Sequence, residues 1–115
     1  MSGFQSIDID MALERLGGDL DVLREIAALF LEESPKIMVA LEQALCAGDA
    51  PALARAAHNL KGSVSTFCAQ QAYDAARALE MASREENLSA ASRDLVRLSS
   101  AIETLAPELS VLAGG

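Results

Sequence analysis

The sequence predicts an all-α fold: an antiparallel four-helix bundle with one or two additional N-terminal helices packed across it. Three observations lead there. Strand-favouring residues are scarce, with three phenylalanines, one tyrosine and no tryptophan in 115 residues. Alanine and leucine dominate, accompanied by Glu, Arg and Gln, all good helix formers. Apolar residues also recur at steps of three and four between recognisable helix caps.

The elements follow from that punctuation. Asp8 or Ser6 can cap a short first helix, which Gly17-Gly18 ends where a positive φ is wanted. Asp19 caps a second segment running to about Glu33, with Leu20, Leu23, Ile26, Ala27 and Phe30 at helical spacing. Ser34-Pro35 reads as a new start, proline being favoured in the first helical turn. The third segment carries Ile37, Met38, Leu41, Ala44 and Leu45, and Gly48 ends it. Asp49 caps a fourth, from Ala50 to about Phe67. A fifth runs from about Ala69 to Arg84, with the small seam Ala69, Ala72, Ala76 and Leu79. Ser89 can cap a sixth, whose seam is Ala91, Leu95, Leu98, Ile102 and Leu105 before Pro107 stops it.

Short connections force neighbouring helices to run antiparallel. The chain therefore reads as one domain over 1–115, with the bundle core at about 35–105 and lead-in helices at about 8–33. Gly114-Gly115 reads as a short tail, and Met1 as an initiator.

Composition narrows the function. A chain of this length buries roughly two-thirds of its unfolded surface, and 51% apolar residues suffice for a core. The formal net charge of −8 argues against nucleic acid or an anionic membrane as partner. No apolar run approaches the ~20 residues of a membrane helix, and the N-terminus lacks the features of a signal peptide. A cytoplasmic protein is expected. Two cysteines, Cys46 and Cys68, are too few for a disulfide framework, and are expected as reduced, buried thiols.

The fourth segment holds the candidate chemistry. Leu53, Ala57, Leu60, Val64 and Phe67 fall within one stripe of about 80°, which leaves His58 roughly 140° from the stripe's centre, on the outer face. Lys61 and Gly62 lie one turn further on and Ser65 two turns. Gly62 costs about 1 kcal/mol against alanine inside a helix. It is there either to give clearance beside His58, or for close helix packing or an early helix end. His58 is either an ordinary exposed histidine or a nucleophile. No second histidine is available for a metal site, and no orienting acid or oxyanion hole for a catalytic triad is visible. As a nucleophile, the neutral imidazole could accept a phosphoryl group, which adds about two negative charges. Lys61 would screen that charge, and Gly62 would leave room for the incoming group.

Ala57-His58-Asn59-Leu60-Lys61-Gly62-Ser63 resembles the phosphoacceptor motif of histidine-containing phosphotransfer (HPt) domains. Leu13 to Asp19, Phe30 to Pro35, Gly48-Asp49 and Ala78-Leu79-Glu80 are similar to the family's surrounding segments. The resemblance implies a helical bundle with an exposed histidine, and a phosphoryl carrier without catalytic activity of its own. Such a carrier passes phosphate between receiver-domain aspartates in a multistep two-component relay. It implies His58 as the phosphoacceptor through Nε2, Lys61 as charge partner and Gly62 as clearance. Glu80 matches a position that orients the imidazole in some members; otherwise it is a surface carboxylate paired with Arg77 or Arg84. No cofactor is implied for this chain, and Mg²⁺ is expected in the partner receiver. One departure is Cys68-Ala69 where the family has Gly-Ala, which leaves the connection after the motif helix open.

The expected partners are receiver domains of a hybrid histidine kinase and of a response regulator, docking on the His58 face at Ala54, Arg55, Asn59 and Ser65. Lys61 and Arg55 would provide local attraction, and a monomer is expected. Two alternatives remain: the phosphoacceptor domain of a chemotaxis-type histidine kinase, and a phosphate-independent helical interaction module.

Overall fold

The computed structural model describes residues 6–114, and those residues form five α-helices and no strand. They are α1 (Ile9–Arg15), α2 (Leu20–Ala47), α3 (Ala50–Ser65), α4 (Gln70–Arg84) and α5 (Leu88–Gly114). The expectations on Met1 to Gln5 and on Gly115 fall outside the described residues. Helices α2 to α5 form the bundle. Each packs against two neighbours, so the cyclic order is α2–α3–α4–α5, and α1 lies against α2. Connections of two to four residues turn each helix back along the last.

Caps set the starts. The carboxylates of Asp8, Asp19 and Asp49 each accept from the amide three residues on, Met11, Val22 and Ala52, at 3.0–3.1 Å. Asp8, and not Ser6, caps α1; the Ser6 amide instead donates to the Glu108 carboxylate of α5 at 2.9 Å.

Two expected boundaries are absent. The second and third segments are a single 28-residue helix, α2, with Pro35 inside it. A helix of that length spans about 42 Å, matching the 41 Å long dimension of the molecule. Proline forfeits one backbone hydrogen bond and crowds the preceding turn. Pro35 is exposed, where water can satisfy the freed carbonyl. The buried seam Leu23, Ala27, Phe30, Ser34, Leu41 and Ala44 also continues in register past it. Burying one seam along two bundle neighbours outweighs the local cost.

The same holds at the other end. Asn87, not Ser89, caps α5 by accepting from the Ala90 amide at 3.1 Å. The helix passes exposed Pro107 and ends at Gly114, because Leu109 and Leu112 extend the expected seam by further steps of four and three.

The core is mostly leucine and alanine, with Ile7, Val64, Ile102 and two aromatics. Leu23, Leu41, Leu53, Leu60, Leu79, Leu98 and Leu105 are fully buried, and Phe30 meets Phe67 edge-on at 5.8 Å between ring centroids. The expected small seam, Ala69, Ala72, Ala76 and Leu79, is buried, and Ala75 and Ala82 of α4 are buried beside it, letting α3 and α5 approach.

The α3–α4 connection shows what the Cys68 departure does. Cys68 takes a left-handed φ of 53°. Its amide donates to the Ser65 carbonyl at 3.0 Å and the Ala69 amide to Val64 at 3.4 Å, which closes a Schellman turn. The turn forms with cysteine where glycine would be unstrained. Both cysteines are free, but neither is buried as expected: Cys46 is exposed and Cys68 half-buried. No helix among the described residues is long and apolar enough to cross a membrane.

Candidate functional site

The site forms where α3 and α4 face each other. Leu53, Ala57, Leu60 and Val64 of α3 pack into the core, and that fixes His58 outward near the middle of the helix. Its side chain is 58% exposed. Antiparallel packing brings Glu80 of α4 beside it, 22 residues away in sequence. Glu80 is not the surface carboxylate of the simpler reading, since its side chain is 8% exposed.

Three side chains converge on that carboxylate. His58 Nδ1 lies 3.1 Å from Oε2. Arg84 donates to the same oxygen through Nη2 at 2.7 Å and Nε at 3.0 Å. Lys61 Nζ lies 2.8 Å from Oε1 as an ion pair. Burial by itself pushes the Glu80 carboxyl up. Lys61 and Arg84, with a smaller contribution from His58, outweigh burial and bring it down from 4.5 to about 2. Glu80 is therefore ionised at neutral pH and can only accept. When the imidazole is neutral, its proton must then sit on Nδ1 and donate to Glu80, leaving the lone pair on Nε2. Nε2 has no hydrogen-bond partner among the described residues.

Gly62 is exposed, and a Cβ built on it would meet nothing within 4 Å. Neither close packing nor an early helix end explains it, because α3 continues to Ser65. No contact among the described residues calls for a glycine at this position.

The other expected site residues divide. Arg55 and Asn59 are exposed on the His58 side of α3. Ala54 is buried, so it offers little to a partner; it lines a shallow groove with Arg55, Ser83 and Arg84. Ser65 is half-buried, and its carbonyl accepts from Arg15 Nη1 of α1 at 3.4 Å. Lys61 is 22% exposed and bonded to Glu80, so it reaches the histidine's surroundings through that carboxylate. The sequence offers Arg84 only as an alternative partner for Glu80. The structure has Glu80 bind Arg84 and His58 together, and the four-residue spacing from Glu80 to Arg84 was the available signal. Among the described residues no group of His, Cys, Asp and Glu is arranged to hold a metal ion.

Comparison with curated proteins and with solved structures gave no match. A family model described as Hpt domain matches residues 25–108. The match takes in most of α2, all of α3 and α4, and α5 as far as Glu108, and so includes His58, Lys61, Gly62 and Glu80. Proteins of this family are phosphotransfer carriers built as helical bundles, the architecture formed here. An outward histidine on a bundle helix, set within a match of this extent, places the chain in the Hpt domain family.

Proposed function

We propose that this protein carries a phosphoryl group on His58 between receiver-domain aspartates in a multistep two-component phosphorelay. One observation carries the proposal. The imidazole is exposed, its Nδ1 is held by an ionised Glu80, and Nε2 is the ring nitrogen left with the lone pair.

In the forward step, Nε2 attacks the phosphorus of an aspartyl phosphate. An N–P bond forms, and the P–O bond to the aspartate breaks and returns a carboxylate. The Nδ1 proton stays on the ring, bonded to Glu80. The reverse step passes the group to a second receiver. Gly62 leaves the flank of the ring open to the receiver, and Lys61 offers a flexible cation to the new charge. The receiver supplies its acidic pocket and Mg²⁺, and this chain needs no cofactor. Arg55 and Asn59 contribute polar contacts to a small, transient interface. The setting is cytoplasmic and the carrier a monomer.

The test is transfer of radiolabel from a receiver phosphorylated on aspartate. Label should appear on this chain in an acid-labile, base-stable form. Transfer to a His58→Gln variant at an unchanged rate would overturn the proposal. Labelling by a kinase with no receiver present would point instead to the phosphoacceptor domain of a chemotaxis-type kinase.

A further inference from the structure

We infer that Arg84 is a positioning residue of this site: it is the fixed counter-ion of Glu80, and it frees Lys61 to leave Glu80 for a phosphoryl group on His58. The inference deepens the phosphocarrier reading and rests on it.

The two cations hold Glu80 in different ways. Arg84 sits on the same helix as Glu80, one turn on, and grips Oε2 with two N–H groups at 2.7 and 3.0 Å. Arg84 is 61% exposed, but its planar fork comes from the same helix as Glu80, so the pair does not depend on the position of α3. Lys61 sits on α3, one turn from His58, and takes the other oxygen, Oε1. Its ammonium is a point charge on a flexible stem and can change partners without losing geometry. Each carboxylate oxygen thus has its own cation, one anchored and one movable.

The need for both follows from burial. Glu80 is 8% exposed, and a buried carboxylate without a partner is strongly unfavourable. Were Lys61 its only cation, moving Lys61 to a phosphoryl group would strand Glu80. With Arg84 in place, Glu80 stays paired and continues to accept the hydrogen bond from Nδ1–H of His58. The two cations also exceed the single carboxylate by one positive charge, in a chain whose net charge is −8. That surplus lies beside the one histidine, where about two negative charges arrive on phosphorylation. The exchange itself moves an ion pair and no proton.

The experiment uses the full chain and phosphoramidate, a small donor whose P–N bond breaks as Nε2–P forms, the nitrogen leaving as ammonia. Wild type, Arg84→Gln, Arg84→Lys and Arg97→Gln are compared. Arg97 lies on α5 beside Asp94 and controls for loss of one positive charge elsewhere. The readouts are the ratio of phosphorylated to free chain at fixed donor concentration, and the nitrogen NMR signal of the Lys61 ammonium before and after phosphorylation. Arg84→Gln should lower the ratio about tenfold, the scale of one charge-assisted hydrogen bond, and abolish the shift of the Lys61 signal. Arg84→Lys should restore part of both, and Arg97→Gln should match wild type.

A phosphate-free arm separates the two readings. Denaturation of Lys61→Met, Arg84→Gln and the double variant should show the double losing far more than the sum, because only then does Glu80 lack a cation. Additive losses would overturn the role of Arg84 as counter-ion, and an Arg84→Gln variant identical to wild type in ratio and Lys61 shift would overturn the exchange. A wild type that takes no label at His58 defeats the phosphocarrier reading, and the Lys61 exchange with it, while the denaturation arm still decides whether Arg84 holds Glu80.

Discussion

Replacing Glu80 with glutamine tests the energetics of the site most directly. The carboxyl is displaced from 4.5 to about 2 in the folded protein. At about 1.4 kcal/mol per pH unit, that corresponds to about 3 kcal/mol in favour of the charged form. The carboxylate is nearly buried, but Arg84 is largely exposed, so solvent screens part of that figure. Because the folded value lies below the unfolded one, this stability is complete above about pH 4.5 and is lost as pH falls toward 2. Glu80→Gln keeps the shape and removes the charge. Lys61 and Arg84 lose their shared partner but keep access to water, which softens the cost. Urea denaturation at neutral pH should show the variant about 2 kcal/mol less stable. The gap should close as the wild type is acidified through the interval between 4.5 and 2. A gap that is negligible at neutral pH, or that stays constant on acidification, would refute the argument that ion pairing outweighs burial at Glu80.

Gly62→Ala should have opposite effects on fold and function. A Cβ there meets nothing within 4 Å among the described residues, so the variant should gain about 1 kcal/mol and melt roughly 4 °C higher, while phosphoryl transfer from a receiver slows about tenfold or more. Cys68 and Glu86 both hold left-handed φ values, 53° and 56°, at turns that close helices. Replacing Glu86, which is exposed, with glycine should raise stability by about 1 kcal/mol in chemical denaturation, and Cys68→Gly should gain less because the half-buried thiol is lost. Pro35→Ala restores a backbone donor inside α2 and should raise the thermal midpoint, with up to about 3 kcal/mol recovered.

The motif helix was legible because it depends on local rules. Asp49 as a cap, the core stripe of α3, and His58 on the opposite face all follow from period and capping chemistry. The breaks expected at Pro35 and Pro107 were misread for the same reason. Proline is a strong local signal, but a seam buried along its whole length overrides it. Ala54 shows a similar limit. Helical geometry puts it near the His58 face, yet α4 packs over it, and a single helix does not announce its neighbour.

The sequence by itself determined the helical class, most of the caps, and that a phosphoryl group carried on histidine has only His58 to sit on, since the chain has one histidine. These depend on residue type and on contacts within four positions along the chain. Only the tertiary structure decided what Glu80 does. Whether it is an exposed carboxylate or a buried hub for His58, Lys61 and Arg84 depends on the register of α4 against α3. That register is set by alanine and leucine seams packing across the bundle, and it joins groups 22 residues apart that no local rule connects.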